Sequence, residues 1–220
     1  EISRGDWSSD VCSSDLTNSV VAQLLAGKVP VLAASDLYLN EHREYGLSTY
    51  SKHSDGSGVA ISSRLRPILN MRPKYRHWLS PSLWQLNADL HLTDWLEEKK
   101  IDFDVVTDED LHLEGVELLN RYKCVLTGSH PEYSSEKMLA AYEQYQLNGG
   151  RWIYLGSDGF YWISEYHPDN PNIIEVRKGE AGTRAWTANP GEYNNAFDGK
   201  YGGMWRSEER RVGKECPLLC

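Results

Sequence analysis

The sequence predicts an α/β protein built on a parallel, doubly wound sheet. Three short apolar runs, at residues 103–107, 123–127 and 151–155, alternate with amphipathic segments long enough to form helices. Parallel strands need helical crossovers, so this alternation favours a parallel sheet over an antiparallel one. In such sheets, ligands bind outside the carboxyl ends of the strands.

The first helix is predicted over residues 82–99, because leucines and a tryptophan recur there at three- and four-residue spacing with polar residues between them. The strand at 103–107 leads into three acidic residues at 108–110. Acidic side chains are typical of a helix N-terminus, where they complement the helix dipole. They indicate the start of a helix, and a weaker apolar pattern predicts helix over residues 113–120.

The run at 123–127 is short and apolar, as in strands that are buried on both faces. The helix after it is predicted to begin at Ser134 or Ser135, because a serine side chain accepts hydrogen bonds from the first turn. An Asn-Gly-Gly sequence ends that helix and leads into the strand at 151–155. From Tyr166 onward, frequent proline, asparagine and glycine predict loops or short strands at the domain margin.

Both ends of the chain look foreign to this domain. Residues 6–16 and 206–216 are similar to two translated sequencing-library adapters. We therefore expect the native domain to span residues 17–205, with 1–16 and 206–220 non-native. Three of the four cysteines lie in these ends, so neither a disulfide framework nor a four-cysteine metal site is expected.

The charge balance limits the classes of partner. The chain has 23 basic and 32 acidic residues, a net charge of −9, and the adapter-like ends hold 5 of the basic and 7 of the acidic ones. An acidic domain disfavours nucleic acid and anionic membrane surfaces as partners. No apolar run approaches the roughly 18–20 residues of a membrane span. With no signal peptide recognisable, a cytoplasmic location is expected.

The loops after the second and third predicted strands form a first candidate site. Both strands end in Gly-Ser, where glycine lets the backbone approach a ligand, so residues 128–133 and 156–162 are expected to carry the function. Glu132 could serve as a metal ligand or general base, with His130 beside it. The alternative is an acidic first-turn Glu132 and a packed His130. A serine-hydrolase elbow is excluded, because Pro131 occupies the position that should be glycine.

A second candidate loop spans residues 47–58, where glycines and small hydroxyl side chains suit a tight turn that holds polar groups near a ligand. Tyr50, His53 and Asp55 could all face one site. The alternative is a surface loop with Tyr50 packed against the sheet. Cys124 lies inside a predicted strand and is expected to be buried and inert, and no histidine spacing indicates a zinc site.

Seven stretches stand in an order that resembles a known family. They are Tyr50 with His53-Ser54-Asp55-Gly56-Ser57-Gly58, residues 62–73, 107–111 and 126–133, Gly159-Phe160-Tyr161-Trp162, and residues 174–177 and 182–186. On these motifs, residues 17–205 closely resemble the C-terminal domain of the large (β) subunit of N,N-dimethylformamidases. The motifs cover essentially all of the expected domain and are too long to match by chance.

The resemblance implies a class I glutamine-amidotransferase-like domain, of the flavodoxin-like three-layer type and incomplete here, that has lost the cysteine nucleophile. It also implies a mononuclear non-haem ferric iron held by two tyrosines and one glutamate. By motif, Tyr50 matches the second tyrosine, Glu132 the glutamate and His130 an active-site histidine. His53 and Asp158 are further candidates for the substrate pocket. Phenolate and carboxylate oxygens are hard anionic donors that suit ferric iron.

Two features depart from the family pattern. The first iron-binding tyrosine is expected far upstream of Tyr50, ahead of Thr17, in the stretch that the adapter-like sequence occupies. Asp158 stands where asparagine is expected in the family. An extra carboxylate there could weaken hydrogen bonding to an amide substrate or alter iron affinity.

The resemblance thus implies a fragment of an iron-dependent amidohydrolase that hydrolyses a small N-substituted amide, such as N,N-dimethylformamide, to formate and an amine. Because one tyrosine is missing, the fragment alone is expected to be inactive. The implied partners are the amide substrate, the small (α) subunit of the same enzyme and further copies in a homo-oligomer. The alternative function is a catalytically inactive amidotransferase-like domain used for binding or scaffolding.

Overall fold

The structure, a computed structural model, describes residues 38–39, 41–68, 71–75, 83, 85–156, 159–179 and 189–205. The α-helices that lie wholly within these residues are α1 (Leu86–Glu98), α2 (Asp108–Glu114), α3 (Val116–Leu119) and α4 (Glu136–Leu147), and a 3-10 helix spans Arg43–Tyr45. The strands are β1 (Ile61–Ser63), β2 (Cys124–Leu126), β3 (Tyr133–Ser134), β4 (Arg151–Ile153), β5 (Trp162–Ile163), β6 (Glu165–His167) and β7 (Asn170–Glu175). The predicted α/β class is confirmed.

Helix α1 lies inside the predicted range 82–99 and confirms that prediction. It buries Asn87 and Leu96 and leaves much of its remaining surface to solvent. The side chain of Asp89 connects the helix to the loop after β2, because its Oδ1 accepts a hydrogen bond of 2.7 Å from the backbone N–H of Ser129. The helix therefore anchors the loop that follows β2.

The acidic residues at 108–110 begin a helix, as predicted. Thr107 caps it: its side-chain oxygen accepts from the backbone N–H of Asp110, and the Asp110 carboxylate accepts from the backbone N–H of Thr107, both at 3.0 Å. Gly115 has φ of +62° and separates α2 from α3. Two short helices therefore replace the single pattern predicted over 113–120.

Helix α4 has the start and the end that the sequence predicts. Ser135 is its N-cap, with its hydroxyl oxygen accepting a hydrogen bond of 3.3 Å from the backbone N–H of Met138. Beyond the helix, Gly149 takes φ of +87°, the left-handed conformation that commonly ends helices. The buried face of α4 includes Tyr142 and Tyr145.

Strands β2 and β4 are parallel neighbours joined by the α4 crossover. Cys124 pairs with Arg151, and Leu126 pairs with Ile153. The predicted strands at these positions and their parallel pairing are confirmed, with both strands shorter than predicted. This unit brings the carboxyl ends of β2 and β4, and the loops after them, to the same edge of the sheet.

Two details of the predicted sheet are wrong. Residues 103–107, all of them described, form no strand, and Val105 is 37% exposed. A central strand of a doubly wound sheet would be buried on both faces, whereas this segment runs along the surface to the N-cap Thr107. The expectation that 123–127 is buried on both faces also fails, because Leu126 in β2 is 36% exposed.

Two further sheets complete the described topology. Strands β3 and β5 are parallel, with Tyr133 opposite Trp162. Strands β1, β7 and β6 form an antiparallel sheet in that order, with an irregular register between Tyr166 and His167. The short strands predicted after Tyr166 are therefore present. The described residues form a mixed α/β structure with small parallel and antiparallel sheets.

The main core packs α2, α3 and α4 against β3, β5 and β7. Its buried members are Leu111, Leu118, Leu119, Tyr133, Met138, Ala141, Tyr142, Tyr145, Phe160, Trp162, Tyr166, Ile174 and Val176. Tyr133 and Trp162 belong both to this core and to the strands that follow the candidate loops. No helix in the described part of the chain has the length and apolar character needed to cross a membrane.

Candidate functional site

The loops that follow β2 and β4 meet, as expected for parallel neighbours. The backbone N–H of Phe160 donates to the carbonyl of Pro131 at 2.8 Å, and that of Trp162 donates to the carbonyl of Glu132 at 2.9 Å. Gly156 makes this approach possible, because a Cβ on it would lie 2.3 Å from Cδ of Pro131. The two loops therefore form one rigid edge around Glu132.

A tight turn presents His130 and Glu132 on either side of a proline. The backbone N–H of Glu132 donates to the carbonyl of His130 at 2.8 Å, which closes a three-residue turn. Proline at its centre suits the turn because its ring fixes φ. The Glu132 side chain is held in turn by Trp162, whose indole Nε1 donates to Oε1 at 3.0 Å.

The loop at 47–58 folds into a hairpin in which the predicted site residues do not lie together: Tyr50 is buried, whereas His53 and Asp55 are exposed. Lys52 pairs with Gly58 across the hairpin, and His53 and Asp55 lie exposed near its tip. The pKa of Asp55 is lowered because its carboxylate accepts hydrogen bonds from the side chain and backbone of Ser57. Asp55 thus serves the turn itself, whereas Tyr50 is buried and points inward.

Tyr50 meets a second tyrosine in the interior. The hydroxyl oxygens of Tyr50 and Tyr133 are 2.7 Å apart, although the residues are separated by 83 positions in the chain. Both side chains are buried, at 6% and 0% exposure. This contact joins the hairpin loop to the strand that begins directly after Glu132.

A buried lysine, Lys178, lies at the centre of this cluster. Its Nζ donates a hydrogen bond of 2.5 Å to the Tyr133 hydroxyl and lies 3.7 Å from the ring centroid of Tyr50. The same atom is 4.5 Å from the ring centroid of Tyr133 and 4.6 Å from that of Trp162. Aromatic faces attract a cation in this way. The side chain is fully buried, so its amino group is held away from water.

The segment that carries Lys178 is fixed by a buried carboxylate at the end of β7. Glu175 is fully buried and accepts hydrogen bonds from Arg177 Nε at 2.6 Å and from the backbone N–H groups of Ala196 and Phe197 at 2.8 and 3.0 Å. A buried carboxylate is stable when its oxygens are paired and hydrogen-bonded. Glu175 thus anchors the chain three residues before Lys178.

The structure brings Tyr50 and Glu132 to one cluster through shared neighbours. Trp162 binds the Glu132 carboxylate and packs against the Lys178 ammonium, which in turn lies over the Tyr50 ring. His53 lies on the exposed hairpin and makes none of these contacts. Asp158 lies outside the described residues.

Three residues of the cluster were not singled out as site residues by the sequence. Tyr133 and Trp162 lie within the candidate loops 128–133 and 156–162, but neither was given a role of its own, and both are core residues. Lys178 follows the motif at 174–177 directly. Nothing local distinguishes a buried lysine from a solvated one, so only the packing of distant segments reveals it.

The donor set of the cluster is oxygen-rich. Among the described residues, no group of three histidine, cysteine, aspartate or glutamate side chains is placed to hold a metal ion. The phenol oxygen of Tyr50 and the carboxylate of Glu132 are hard donors of the kind that ferric iron prefers, and Trp162 already orients the carboxylate. These two side chains therefore have the donor chemistry of part of an iron site built from phenolate and carboxylate.

Comparison with known proteins gives one consistent result. The sequence model of a family described as "N,N-dimethylformamidase beta subunit-like, C-terminal" matches residues 26–217. A protein from Alcaligenes sp named "N,N-dimethylformamidase beta subunit" is 49% identical over 195 residues, which are 88% of this chain and 25% of that protein. A protein of the same name from Paracoccus aminophilus gives the same identity and coverage. The chain spans about a quarter of the length of the curated relatives it matches.

Proposed function

The chain belongs to the N,N-dimethylformamidase β-subunit-like C-terminal family, and on this premise we propose that it is part of an iron-dependent amidohydrolase. The substrate we propose is a small N-substituted amide such as N,N-dimethylformamide, which the names of the relatives suggest. The observation that supports this proposal most is the cluster in which Lys178 lies over the rings of Tyr50 and Trp162 while Trp162 donates a hydrogen bond to the Glu132 carboxylate.

We propose that Tyr50 and Glu132 supply two of the oxygen ligands of a ferric ion. A further tyrosine, expected ahead of Thr17, would supply a third. When bound, ferric iron supplies a Lewis acid that polarises an amide carbonyl and activates water. A phenolate at Tyr50 would also place a negative charge beside the buried ammonium of Lys178, which a low-dielectric site favours.

The residues of the 130–132 turn have proposed roles in moving protons. Hydrolysis adds a hydroxyl group to the carbonyl carbon, breaks the C–N bond and leaves the amine nitrogen with a proton. His130 lies two residues from Glu132 on the same tight turn. We propose that His130 holds the proton taken from water and delivers it to the leaving nitrogen. Trp162 keeps Glu132 in place during this transfer.

The finer fold and the partners are also part of the proposal. The β2–α4–β4 unit and its parallel pairing support a doubly wound, glutamine-amidotransferase-like arrangement. The relatives are named β subunits, which supports an enzyme that also contains a small (α) subunit. We propose that it acts in the cytoplasm as a homo-oligomer of such units.

The test uses the full-length enzyme that carries this domain. We expect it to contain iron and to show a visible phenolate-to-iron charge-transfer band. Tyr50→Phe and Glu132→Gln should each lose the iron and the amidase activity while keeping the circular dichroism of the parent. Glu143→Gln, at an exposed position of α4, is the matched control and should change neither.

Two outcomes would contradict the proposal. A colourless, iron-free preparation with full amidase activity would exclude the proposed metal chemistry. Full activity of a folded Tyr50→Phe or Glu132→Gln variant would remove these residues from the site. If the intact protein binds amides without hydrolysing them, the alternative of an inactive binding or scaffolding domain is favoured instead.

A further inference from the structure

The hydroxyl contact between Tyr50 and Tyr133 belongs to a short chain of hydrogen bonds. Lys178 is the third member of the chain of hydrogen bonds, with its Nζ 2.5 Å from the Tyr133 oxygen. An ammonium group can only donate, so the Tyr133 oxygen accepts from Lys178. The Tyr50 oxygen lies 2.7 Å from the Tyr133 oxygen. A Tyr50 phenolate could only accept, so in that state Tyr133 would be the donor of this hydrogen bond.

The donor is held rigidly. Tyr133 is fully buried and pairs with Trp162 between β3 and β5, directly after the turn that carries Glu132. Lys178 packs over the rings of Tyr50, Tyr133 and Trp162, which fixes the three aromatic rings relative to one another. The Tyr50 oxygen is therefore positioned by the same strand pair that positions the Glu132 carboxylate.

We propose that Tyr133 is a positioning residue, which donates its hydroxyl hydrogen to the oxygen of Tyr50 and fixes that oxygen as a metal ligand. This inference rests on the proposed function, in which Tyr50 binds iron as a phenolate. A phenolate bound to a metal keeps a lone pair that can accept one hydrogen bond, and bonds to a charged acceptor are stronger than bonds between neutral groups. Tyr133 touches Tyr50 and is not itself a ligand.

A purely structural role for Tyr133 makes a different prediction. If the two hydroxyl groups only satisfy each other in the core, removal of one changes stability and leaves the electronic state of Tyr50 unchanged. If Tyr133 donates to a phenolate on iron, its removal raises the energy of the phenolate electrons. The charge-transfer band is then the measurement that separates the two roles.

The experiment uses the iron-loaded, full-length enzyme with Tyr133→Phe. We expect the variant to retain a phenolate band that has moved to longer wavelength, because the phenolate has lost a hydrogen-bond donor. Outer-shell partners of metal ligands typically contribute about 10–100-fold to metal affinity, so iron should also be lost to a chelator at correspondingly lower concentrations. The matched control is Tyr145→Phe, which removes a buried hydroxyl bonded to the carbonyl of Tyr122 and should leave the band in place.

A second substitution keeps the test decisive if Tyr133→Phe does not fold. Incorporation of 3-fluorotyrosine at position 133 preserves the shape of the side chain and makes its hydroxyl a stronger donor, so the band should move to shorter wavelength. An unmoved band in a folded, iron-loaded variant overturns the role of Tyr133 and leaves the proposed function standing. If the unmodified enzyme has neither iron nor the band, the proposed function fails first and this inference fails with it.

Discussion

The indole nitrogen of Trp162 donates a hydrogen bond of 3.0 Å to the side-chain carboxylate of Glu132. The same two residues are joined through their backbones, since the N–H of Trp162 donates to the carbonyl of Glu132 at 2.9 Å. Trp162 is only 2% exposed. A core residue thus fixes both the backbone and the side chain of the proposed carboxylate ligand.

Replacement of Trp162 by phenylalanine should therefore weaken iron binding more than it weakens the fold. Phenylalanine keeps an aromatic ring in the core and removes the N–H donor. We expect the iron affinity of the full-length enzyme to fall by about 10–100-fold, the usual effect of losing a hydrogen bond to a metal ligand. Competition with a chelator measures the change.

The matched control for this substitution is Trp205→Phe. The indole of Trp205 donates a hydrogen bond of 3.0 Å to the carbonyl of Ser134, so this variant loses a similar bond that does not involve a carboxylate. Its iron affinity should equal that of the parent. If both variants bind iron equally well, the proposed role of Trp162 is wrong.

Gly156→Ala, in the loop that follows β4, should disturb the loop that carries Glu132. The added Cβ would lie 2.3 Å from Cδ of Pro131 and 3.1 Å from the carbonyl oxygen of Ser129, so the two loops must separate. Overpacking of this kind typically costs about 1–3 kcal/mol of stability. Chemical denaturation measures that cost, and iron affinity should fall with it because Glu132 follows Pro131.

Gly115→Ala provides the comparison for this prediction. A Cβ there meets no atom within 4 Å, but φ is +62° and ψ is −145°, a backbone region that essentially only glycine adopts, so the substitution costs the backbone strain of about 1–3 kcal/mol. We expect a comparable loss of stability with no change in iron affinity. Unchanged iron affinity in Gly156→Ala as well would show that the loop contact does not position the site.

Phe160 combines a strained backbone with a buried ring. Its φ is +52°, a conformation that favours glycine, and its ring packs 5.6 Å from that of Trp152 and 5.8 Å from that of Tyr142, centroid to centroid. Strain of this kind persists where the surroundings hold it, and here the N–H of Phe160 also donates to the carbonyl of Pro131. The aromatic packing and this hydrogen bond together hold the backbone beside the site.

Two truncations at this position separate strain from packing. Phe160→Ala and Phe160→Gly both lose the ring, but only glycine relieves the left-handed strain of about 1–2 kcal/mol. We expect the glycine variant to be the more stable in urea denaturation. At Phe103, where φ is not positive, the order should reverse, because glycine makes the unfolded chain more flexible and so costs about 0.4–1 kcal/mol relative to alanine. The same order at both positions would contradict a strained Phe160.

The elements that depend on local signals could be predicted from the sequence. The capping serine of α4, the glycine beyond its end and the acidic start of α2 each act within a few residues, and the structure has them in place. The strand predicted at 103–107 is absent because apolar character alone does not show whether a partner strand lies beside a segment. Whether a segment becomes a strand depends on pairing with residues distant in the chain. Among the described residues, the exposed Val105 pairs with no strand.

The residues of the candidate site also differ in whether local sequence could predict them. Tyr50 and Glu132 stand out from motifs, whereas the contact between Tyr50 and Tyr133 joins positions 83 residues apart and leaves no local signal. Lys178 was missed because lysine is almost always solvated unless it is paired, and its burial here depends on aromatic rings from three separate segments. Motifs predicted which residue types matter, and only packing showed which of them meet.

A buried histidine links α2, α4 and β6. The Nδ1 of His112 lies 2.8 Å from the hydroxyl oxygen of the N-cap Ser135. Its Nε2 is 3.4 Å from Nζ of Lys137 and 3.7 Å from the carboxylate of Glu165. Burial first, and the charge of Lys137 second, lower the pKa of His112 to about 4. Burial also raises the pKa of Glu165.

These shifts predict a loss of stability on acidification. Between its ordinary pKa of about 6.5 and the folded value of about 4, His112 takes up a proton in the unfolded chain only. The free energy of unfolding therefore decreases as the pH is lowered through this range. Glu165 acts in the opposite sense, because the folded chain binds its proton first. In His112→Asn, the stability difference between pH 7 and pH 5 should shrink by about 1–2 kcal/mol in urea denaturation. Replacement of the exposed His91 on α1 is the control and should leave that difference unchanged. If His112→Asn also leaves it unchanged, His112 does not cause the loss of stability at low pH.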